Sequence, residues 1–143
     1  MKKTLSYFLY TMLIACIVCA CNNNLDIVQD YGYRIETLPL PKRIKQDETV
    51  ALEFSIVREG YYKEAAYRFR YFQSEGEGTL SYKGKVLPVN RFQEITSDNF
   101  VLTYQSRCDD QQQLDFVFVE NTSGRQVEYS ILFSSEQTEK EPE

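Results

Sequence analysis

The chain has 143 residues, a formal net charge of −5 at neutral pH and no His. Without His, the Ser–His–Asp and Cys–His catalytic arrangements and most transition-metal sites are excluded. The acidic balance offers no basic patch for a nucleic acid, so we expect no binding of DNA or RNA.

Residues 1–20 are typical of a bacterial lipoprotein signal peptide. Two lysines precede an uncharged run of about 16 residues, which is shorter than the roughly 20 residues of a membrane-spanning helix. Cleavage before Cys21 places the small Ala20 at the −1 position, whereas cleavage before Cys19 places bulky Val18 there. The pattern therefore predicts lipidation of Cys21 and removal of residues 1–20. The alternatives are a plain secretory signal or an N-terminal anchor helix.

The lipid anchor sets the expected location. Several acyl chains on one cysteine hold a protein at a membrane without a spanning segment. Asn22 rather than Asp follows Cys21, which favours the outer membrane, and the first acidic residue is Asp26, which favours the periplasmic face over the cell surface. Loss of the two signal-peptide lysines takes the net charge from −5 to −7. Residues 21–32 are expected to form the lipidated cysteine and a tether.

Hydrophobic alternation of period two begins at residue 33 and predicts strands, in a chain with 11 Tyr and 9 Phe. The seven predicted strands are Tyr33–Leu38, Thr49–Val57, Tyr67–Phe72, Thr79–Tyr82, Phe100–Tyr104, Leu114–Val119 and Val127–Phe133. The segments "SEGEG", "YKGK" and "NTSGR" predict hairpin turns. Pro39 and Pro41 interrupt pairing and indicate a crossing between sheets. Residues 89–99 allow at most one helical turn.

Seven short strands in one domain, residues 33–134, predict an immunoglobulin-like antiparallel β-sandwich. A small β-barrel is the alternative. The polar residues 135–143 are expected to form a disordered acidic tail. Only Cys108 remains beside Cys21 after processing, so no disulfide is expected within the domain.

Two pairs of carboxylates are candidate sites. Glu75 and Glu77 have a spacing that acid–base chemistry or Ca²⁺ binding could use, but a solvated hairpin tip is the preferred interpretation. Asp109 and Asp110 in "CDDQQQ" suggest a metal, but a polar loop between strands over residues 108–113 is preferred. We therefore expect no catalytic residue, cofactor, metal ion or small-molecule substrate.

A protein-contact surface is a further hypothesis. Tyr and Phe near turns offer large contact areas at low entropy cost, and they are Tyr61, Tyr62, Tyr82 and Phe92. Arg68 and Arg70 alternate with apolar residues on one predicted strand face. They are either simply solvent-facing or a cationic stripe that meets an acidic partner.

Much of the chain resembles a known family. The resemblance is carried by the segments "ETLPLPKRI", "YRFRYFQSEGEGTL", "VLPVNRF", "FVLTYQSRCDDQQQLDFVFVEN" and "SGRQ". These are similar to the TraQ-type lipoproteins of conjugative transposons from Bacteroides-like bacteria, although the family often has Asp after "PN", where Val89 here separates Pro88 from Asn90. The resemblance implies an immunoglobulin-like sandwich and a non-enzymatic envelope component of a conjugal transfer apparatus, with other envelope proteins as partners. A ligand-binding or adhesin-like surface lipoprotein is the alternative function.

Overall fold

The computed structural model describes residues 31–60 and 64–135, with Lys3, Thr4 and Tyr7 near the N-terminus. Its nine strands are β1 Tyr33–Thr37, β2 Thr49–Arg58, β3 Tyr67–Glu75, β4 Gly78–Tyr82, β5 Lys85–Val86, β6 Gln93–Ile95, β7 Asn99–Ser106, β8 Gln112–Glu120 and β9 Gln126–Phe133. Nearly all of the predicted signal peptide, tether and tail lie outside the described residues, as does Cys21, the predicted lipidation site. Within the described part of the chain, no helix is long and apolar enough to cross a membrane.

The strands form two antiparallel sheets. A five-stranded sheet has the order β1-β2-β7-β4-β5, and a four-stranded sheet has the order β6-β3-β8-β9. The first four strands of the larger sheet correspond to the A-B-E-D order of an immunoglobulin domain, and β3, β8 and β9 of the smaller sheet correspond to C-F-G. β6 lies beside β3 at the edge, although it follows β4 in the chain. The predicted β-sandwich class is therefore confirmed.

The two prolines mark a crossing between the sheets, as predicted. β1 pairs with β2 in the five-stranded sheet. After Pro39 and Pro41, Arg43 forms a parallel bridge with Ser134, just beyond β9 of the other sheet. Proline lacks the N–H that a continuous ladder needs, so the chain leaves one sheet here before it returns as β2.

Aromatic rings fill the space between the sheets. Phe54 from β2 is buried, and its ring centroid lies 5.4 Å from that of Phe100, 5.1 Å from Phe116 and 5.6 Å from Phe118. Phe69 joins the same cluster at 5.9 Å from Phe118. Edge-to-face and offset rings at these distances add about 0.5–1.5 kcal/mol per pair beyond the area that they bury. This core packs the two sheets together, and Cys108, the cysteine in the described part of the chain, is a free thiol.

All seven predicted strands are present, but two short ones were missed. β5 follows the "YKGK" turn, where Lys83 and Gly84 have φ of 50° and 76°, and the predicted hairpin of β4 and β5 is confirmed. β6 lies in residues 89–99, where a helical turn was the most that was expected, and it pairs with β3. Three residues are too few for periodicity to reveal a strand.

The prediction of a hairpin at "SEGEG" was wrong. β3 belongs to the four-stranded sheet and β4 to the five-stranded sheet, so this segment carries the chain across the sandwich. Gly76 adopts φ of 73° at the crossing, and a Cβ there would lie 2.4 Å from Cγ of Gln112. Gln112 itself was expected in a polar loop, but it begins β8 and is fully buried.

Candidate protein-contact surface

Two arginines and one phenylalanine form a cluster on the outer face of the four-stranded sheet. Arg68 and Arg70 alternate with buried residues along β3, so both side chains project away from the core. Phe92, which precedes β6, lies over them: its ring centroid is 4.4 Å from Cζ of Arg68 and 5.0 Å from Cζ of Arg70. We call this group the Arg68–Phe92–Arg70 cluster. Phe92 in this cluster is 40% exposed to solvent.

The loop before β6 positions the phenyl ring. The backbone N–H of Asn90 donates to the carbonyl of Tyr71 at 2.9 Å, which ties the loop to β3. Nη1 of Arg70 donates to Oδ1 of Asn90 at 3.2 Å. Asn90 has φ of 57°, a left-handed conformation that Asn tolerates better than most residues. The ring is therefore held by backbone and side-chain contacts rather than by burial alone.

Neither arginine of the cluster forms an ion pair with a described carboxylate, within residues 31–60 and 64–135. Glu94 lies opposite Arg68 in the β3–β6 register but accepts a 3.5 Å hydrogen bond from Asn121. The contact of each guanidinium with the ring contributes about 0.5–1 kcal/mol at an exposed site. The cluster thus holds two guanidinium groups in place on the outer face of the sheet.

Of the three tyrosines predicted for partner contact, Tyr82 is described by the structure and does not join this cluster. Tyr82 belongs to β4 in the opposite sheet, and its ring packs against Phe69 and Phe100 at 6.1 Å from each. Its hydroxyl is buried and has no hydrogen-bond partner in the described part of the chain. Tyr61 and Tyr62 lie outside the described residues.

Sequence reasoning missed an acidic region beside β9 on the same face of the sheet. Asp115 of β8 accepts hydrogen bonds from Oγ of Ser130 at 2.6 Å, from Oγ of Ser74, and from Nε2 of Gln113 at 2.9 Å. The bonds from Ser130, Ser74 and Gln113 outweigh the effect of burial and hold the pKa of Asp115 below its usual value. Alternation in "LDFVFV" already placed Asp115 opposite the core, which is the signal that could have found it.

One carboxylate of each candidate pair accepts a hydrogen bond from a residue distant in the sequence. Oε2 of Glu75 accepts from Nε2 of Gln111 at 2.5 Å, and Oδ1 of Asp109 accepts from the N–H of Gln46 at 2.8 Å. Glu77 and Asp110 are exposed. Among the described residues, no group of three or more His, Cys, Asp and Glu side chains could hold a metal ion.

The molecule is thus an immunoglobulin-like β-sandwich whose most distinctive surface is the outer face of its smaller sheet. The family model of the TraQ conjugal transfer protein matches residues 4–136. The chain belongs to this family. Comparison with curated proteins gives no match.

Three solved structures from Bacteroides are similar to the chain. A conjugative transposon lipoprotein from Bacteroides eggerthii is 28% identical, with a TM-score of 0.67 over 73% of this chain and 98% of that one. A lipoprotein from Bacteroides thetaiotaomicron is 35% identical, with a TM-score of 0.68 over 82% of this chain and 90% of that one. A conjugate transposon protein from Bacteroides vulgatus is 32% identical, with a TM-score of 0.67 over 81% of this chain and 94% of that one. The resemblance noted in the sequence is therefore confirmed.

Proposed function

We propose that the mature protein is a non-enzymatic lipoprotein that serves as a structural or accessory component of a conjugative DNA-transfer apparatus. Membership of the TraQ conjugal transfer family carries this proposal. Lipidation of Cys21 anchors the protein in the outer membrane, on the periplasmic face. Residues 21–32 tether the sandwich to the lipid, and residues 135–143 form an acidic tail.

The partner in this role is another envelope protein of the apparatus. The Arg68–Phe92–Arg70 cluster supports such a contact, because arginine and aromatic side chains are enriched in the energetically dominant parts of protein interfaces. Its two guanidinium groups select a partner with an acidic surface. The acidic chain itself does not touch the transferred DNA.

The test is a conjugation assay in donor cells that lack the gene and carry the full chain on a complementing copy. Cys21→Ser should leave the folded domain intact and lower the transfer frequency, because the protein is no longer concentrated at the membrane. A double substitution, Arg68→Ala with Arg70→Ala, should lower the frequency while the protein stays anchored. Arg34→Ala is the matched control, since Arg34 is an exposed arginine on the other sheet, paired with Glu36.

Three outcomes would each contradict a part of the proposal. Unchanged transfer after deletion of the gene would remove the role in conjugation and favour a ligand-binding or adhesin-like lipoprotein. Full transfer with Cys21→Ser would show that the anchor is not needed. An equal loss with Arg34→Ala and with the double substitution would show that the cluster has no special part.

A further inference from the structure

The sandwich has four sheet edges, and three of them are protected. β5 has two residues and follows a lysine-containing turn, β6 has three residues, and β1 has five residues with Arg34 and Glu36 and ends before Pro39. Short length, charge and proline are the devices by which proteins prevent edge strands from pairing with other chains. β9 has eight residues, contains no Lys, Pro or Gly, and keeps an unbroken register with β8.

The free edge of β9 offers unpaired backbone groups. The N–H of Ser134 donates to the carbonyl of Lys42 at 2.8 Å, so it points away from β8. Backbone groups of alternate residues point the same way in a strand, which directs those of Leu132, Ser130 and Glu128 to the same side. These three N–H groups have no hydrogen-bond partner among the described residues.

A groove runs along this edge. Its volume is about 350 Å³, and it lies between residues 129–132 of β9 and residues 37–42, which contain the two prolines. Leu38 on one wall is 56% exposed and Leu132 on the other is 52% exposed. An added strand would place its sandwich-facing side chains against Leu38 and against Tyr129 and Ile131, which line the groove from the inward face of β9, so apolar residues are required at alternate positions. Leu132 lies on the outward face of β9 with Glu128.

The opposite face of an added strand would meet the acidic region. A depression of about 300 Å³ is lined by Phe72, Val117, Ser130, Asp115 and Glu128. Asp115 is held ionised by its hydrogen bonds, and the exposed Glu128 forms no ion pair with a described residue. Glu128 lies on β9 itself, so a lysine or arginine on the outward face of the added strand can pass over β9 and bring its charge to Glu128 and towards Asp115 of β8.

We propose that β9 binds an extended segment of a partner protein as an added strand, with apolar residues facing the groove and basic residues facing Asp115 and Glu128. The mode is strand addition, in which backbone hydrogen bonds give affinity and alternate side chains give specificity. The proposal rests on the proposed function, since it names how the envelope partner is held. It places a second contact on the sheet that carries the Arg68–Phe92–Arg70 cluster.

A single strand fits this edge better than a second copy of the chain. In a β9–β9 pairing, each copy would bring its own residues 37–42 into the groove that the other copy must fill. Both copies would also bring Glu128 to the shared edge, and each carries a net negative charge. A basic, extended segment meets neither obstacle.

The binding test uses amide hydrogen exchange of the full chain with two synthetic peptides, one of alternating Val and Lys and one of alternating Val and Glu. With the Val-Lys peptide at about ten times its Kd, exchange at Glu128, Ser130 and Leu132 should slow about tenfold. The Val-Glu peptide should leave these amides unchanged. Equal protection by both peptides, or no protection by either, overturns the proposal. Protection that depends on protein concentration without peptide would assign the edge to a second copy.

A matched pair of variants locates the site. Leu132→Lys places a positive charge at the edge and should abolish protection by the Val-Lys peptide. Val101→Lys makes the same change on the outer face of the other sheet, where Val101 is 48% exposed, and should leave it intact. Binding by Leu132→Lys equal to that of the original chain would place the peptide elsewhere. Far-ultraviolet circular dichroism of both variants verifies the fold.

The same two variants separate this inference from the proposed function in donor cells. If β9 holds the partner, Leu132→Lys lowers the transfer frequency and Val101→Lys does not. Normal transfer with Leu132→Lys, together with a loss on deletion of the gene, overturns the role of β9 and leaves the proposed function standing. No effect of the deletion overturns the function itself.

Discussion

The buried hydrogen bond between Tyr104 and Gln112 lies at the end of the sandwich where the chain crosses between the sheets near Gly76. Substitutions at this bond test how much it contributes to the stability of that end. Both side chains are fully buried. The hydroxyl of Tyr104 donates to Oε1 of Gln112 at 2.6 Å and accepts from Nε2 of Gln73 at 3.1 Å. Nε2 of Gln112 donates onward to Oγ of Ser106 at 2.8 Å. A polar group left alone in this region has no solvent to replace its lost partner.

The expected magnitudes follow from which group each substitution leaves unpaired. Tyr104→Phe strands the Oε1 atom of Gln112, and an unsatisfied buried acceptor lowers the free energy of unfolding by about 1–3 kcal/mol. Gln112→Leu keeps most of the volume and leaves the Tyr104 hydroxyl able to reach Gln73, so the loss is about 1 kcal/mol. The double variant strands neither group, and its loss should fall short of the sum by about 1 kcal/mol.

Urea unfolding of the four proteins measures these free energies, with the slope m expected to stay constant. Tyr82→Phe is the matched control, because the Tyr82 hydroxyl is buried without a partner in the described residues and its removal should not destabilise the protein. Strict additivity of the Tyr104 and Gln112 substitutions would refute the reasoning. So would a loss in Tyr82→Phe as large as that in Tyr104→Phe.

Three further predictions concern stability. Gly78→Ala should lower the free energy of unfolding by about 1–3 kcal/mol in thermal unfolding, because the added Cβ would lie 2.1 Å from the Tyr104 hydroxyl oxygen. Gly84→Ala, where the added Cβ meets open space, should lower the free energy of unfolding by only about 1 kcal/mol. Burial, with Tyr67 and Glu120 nearby, raises the pKa of Tyr33 from 10.0 to about 12. The stability that the neutral Tyr33 provides is complete below pH 10, and about 3 kcal/mol of it is lost as the pH rises to 12. Urea titrations across this pH range should show a shallower fall in the free energy of unfolding for Tyr33→Phe than for the original chain. Burial opposes ionisation of Glu120, but hydrogen bonds from Ser123 and Thr122 outweigh it and hold the pKa below 4.5; stability should therefore fall as the pH drops below that value, and less steeply in Glu120→Gln.

Period-two alternation was sufficient to find every strand long enough to show it. The inward positions predicted for β8, Leu114, Phe116 and Phe118, are all buried. This succeeded because one face of each strand packs on the core, and burial imposes the alternation directly. β5 and β6 are too short to carry such a signal.

The turn at "SEGEG" and the burial of Gln112 could not be read from local sequence. Glycine and charged residues specify that the chain turns, but the choice between a hairpin and a crossing depends on which strand later fills the neighbouring position. Here β7, not β3, pairs with β4. Gln112 is buried because Tyr104 and Ser106 of β7 supply its partners, and those contacts join residues in different sheets.

The arrangement of side chains on the outer face of the smaller sheet could also be predicted only in part from the sequence. Alternation placed Arg68 and Arg70 on one strand face, but only the fold brings Phe92 between them, since Phe92 lies more than twenty positions later in the sequence. The edge position of β9 likewise depends on the order of strands in the sheet. Sequence patterns thus predicted which strand face carries Arg68 and Arg70, whereas the fold decides which side chains lie beside them.

The distance between the two proposed contacts predicts whether one partner makes both. β3 and β9 are separated by β8, so the Arg68–Phe92–Arg70 cluster lies about 10 Å from the β9 edge at the usual strand spacing. An interface of standard size, about 800 Å² on each side, covers both. If one partner binds there, Arg68→Ala and Leu132→Lys each weaken the same complex, and the double variant lowers conjugation little beyond the stronger single variant once the partner is lost. Two independent partners would instead give multiplied losses in transfer frequency. That result would contradict a single interface, even if each residue proved necessary.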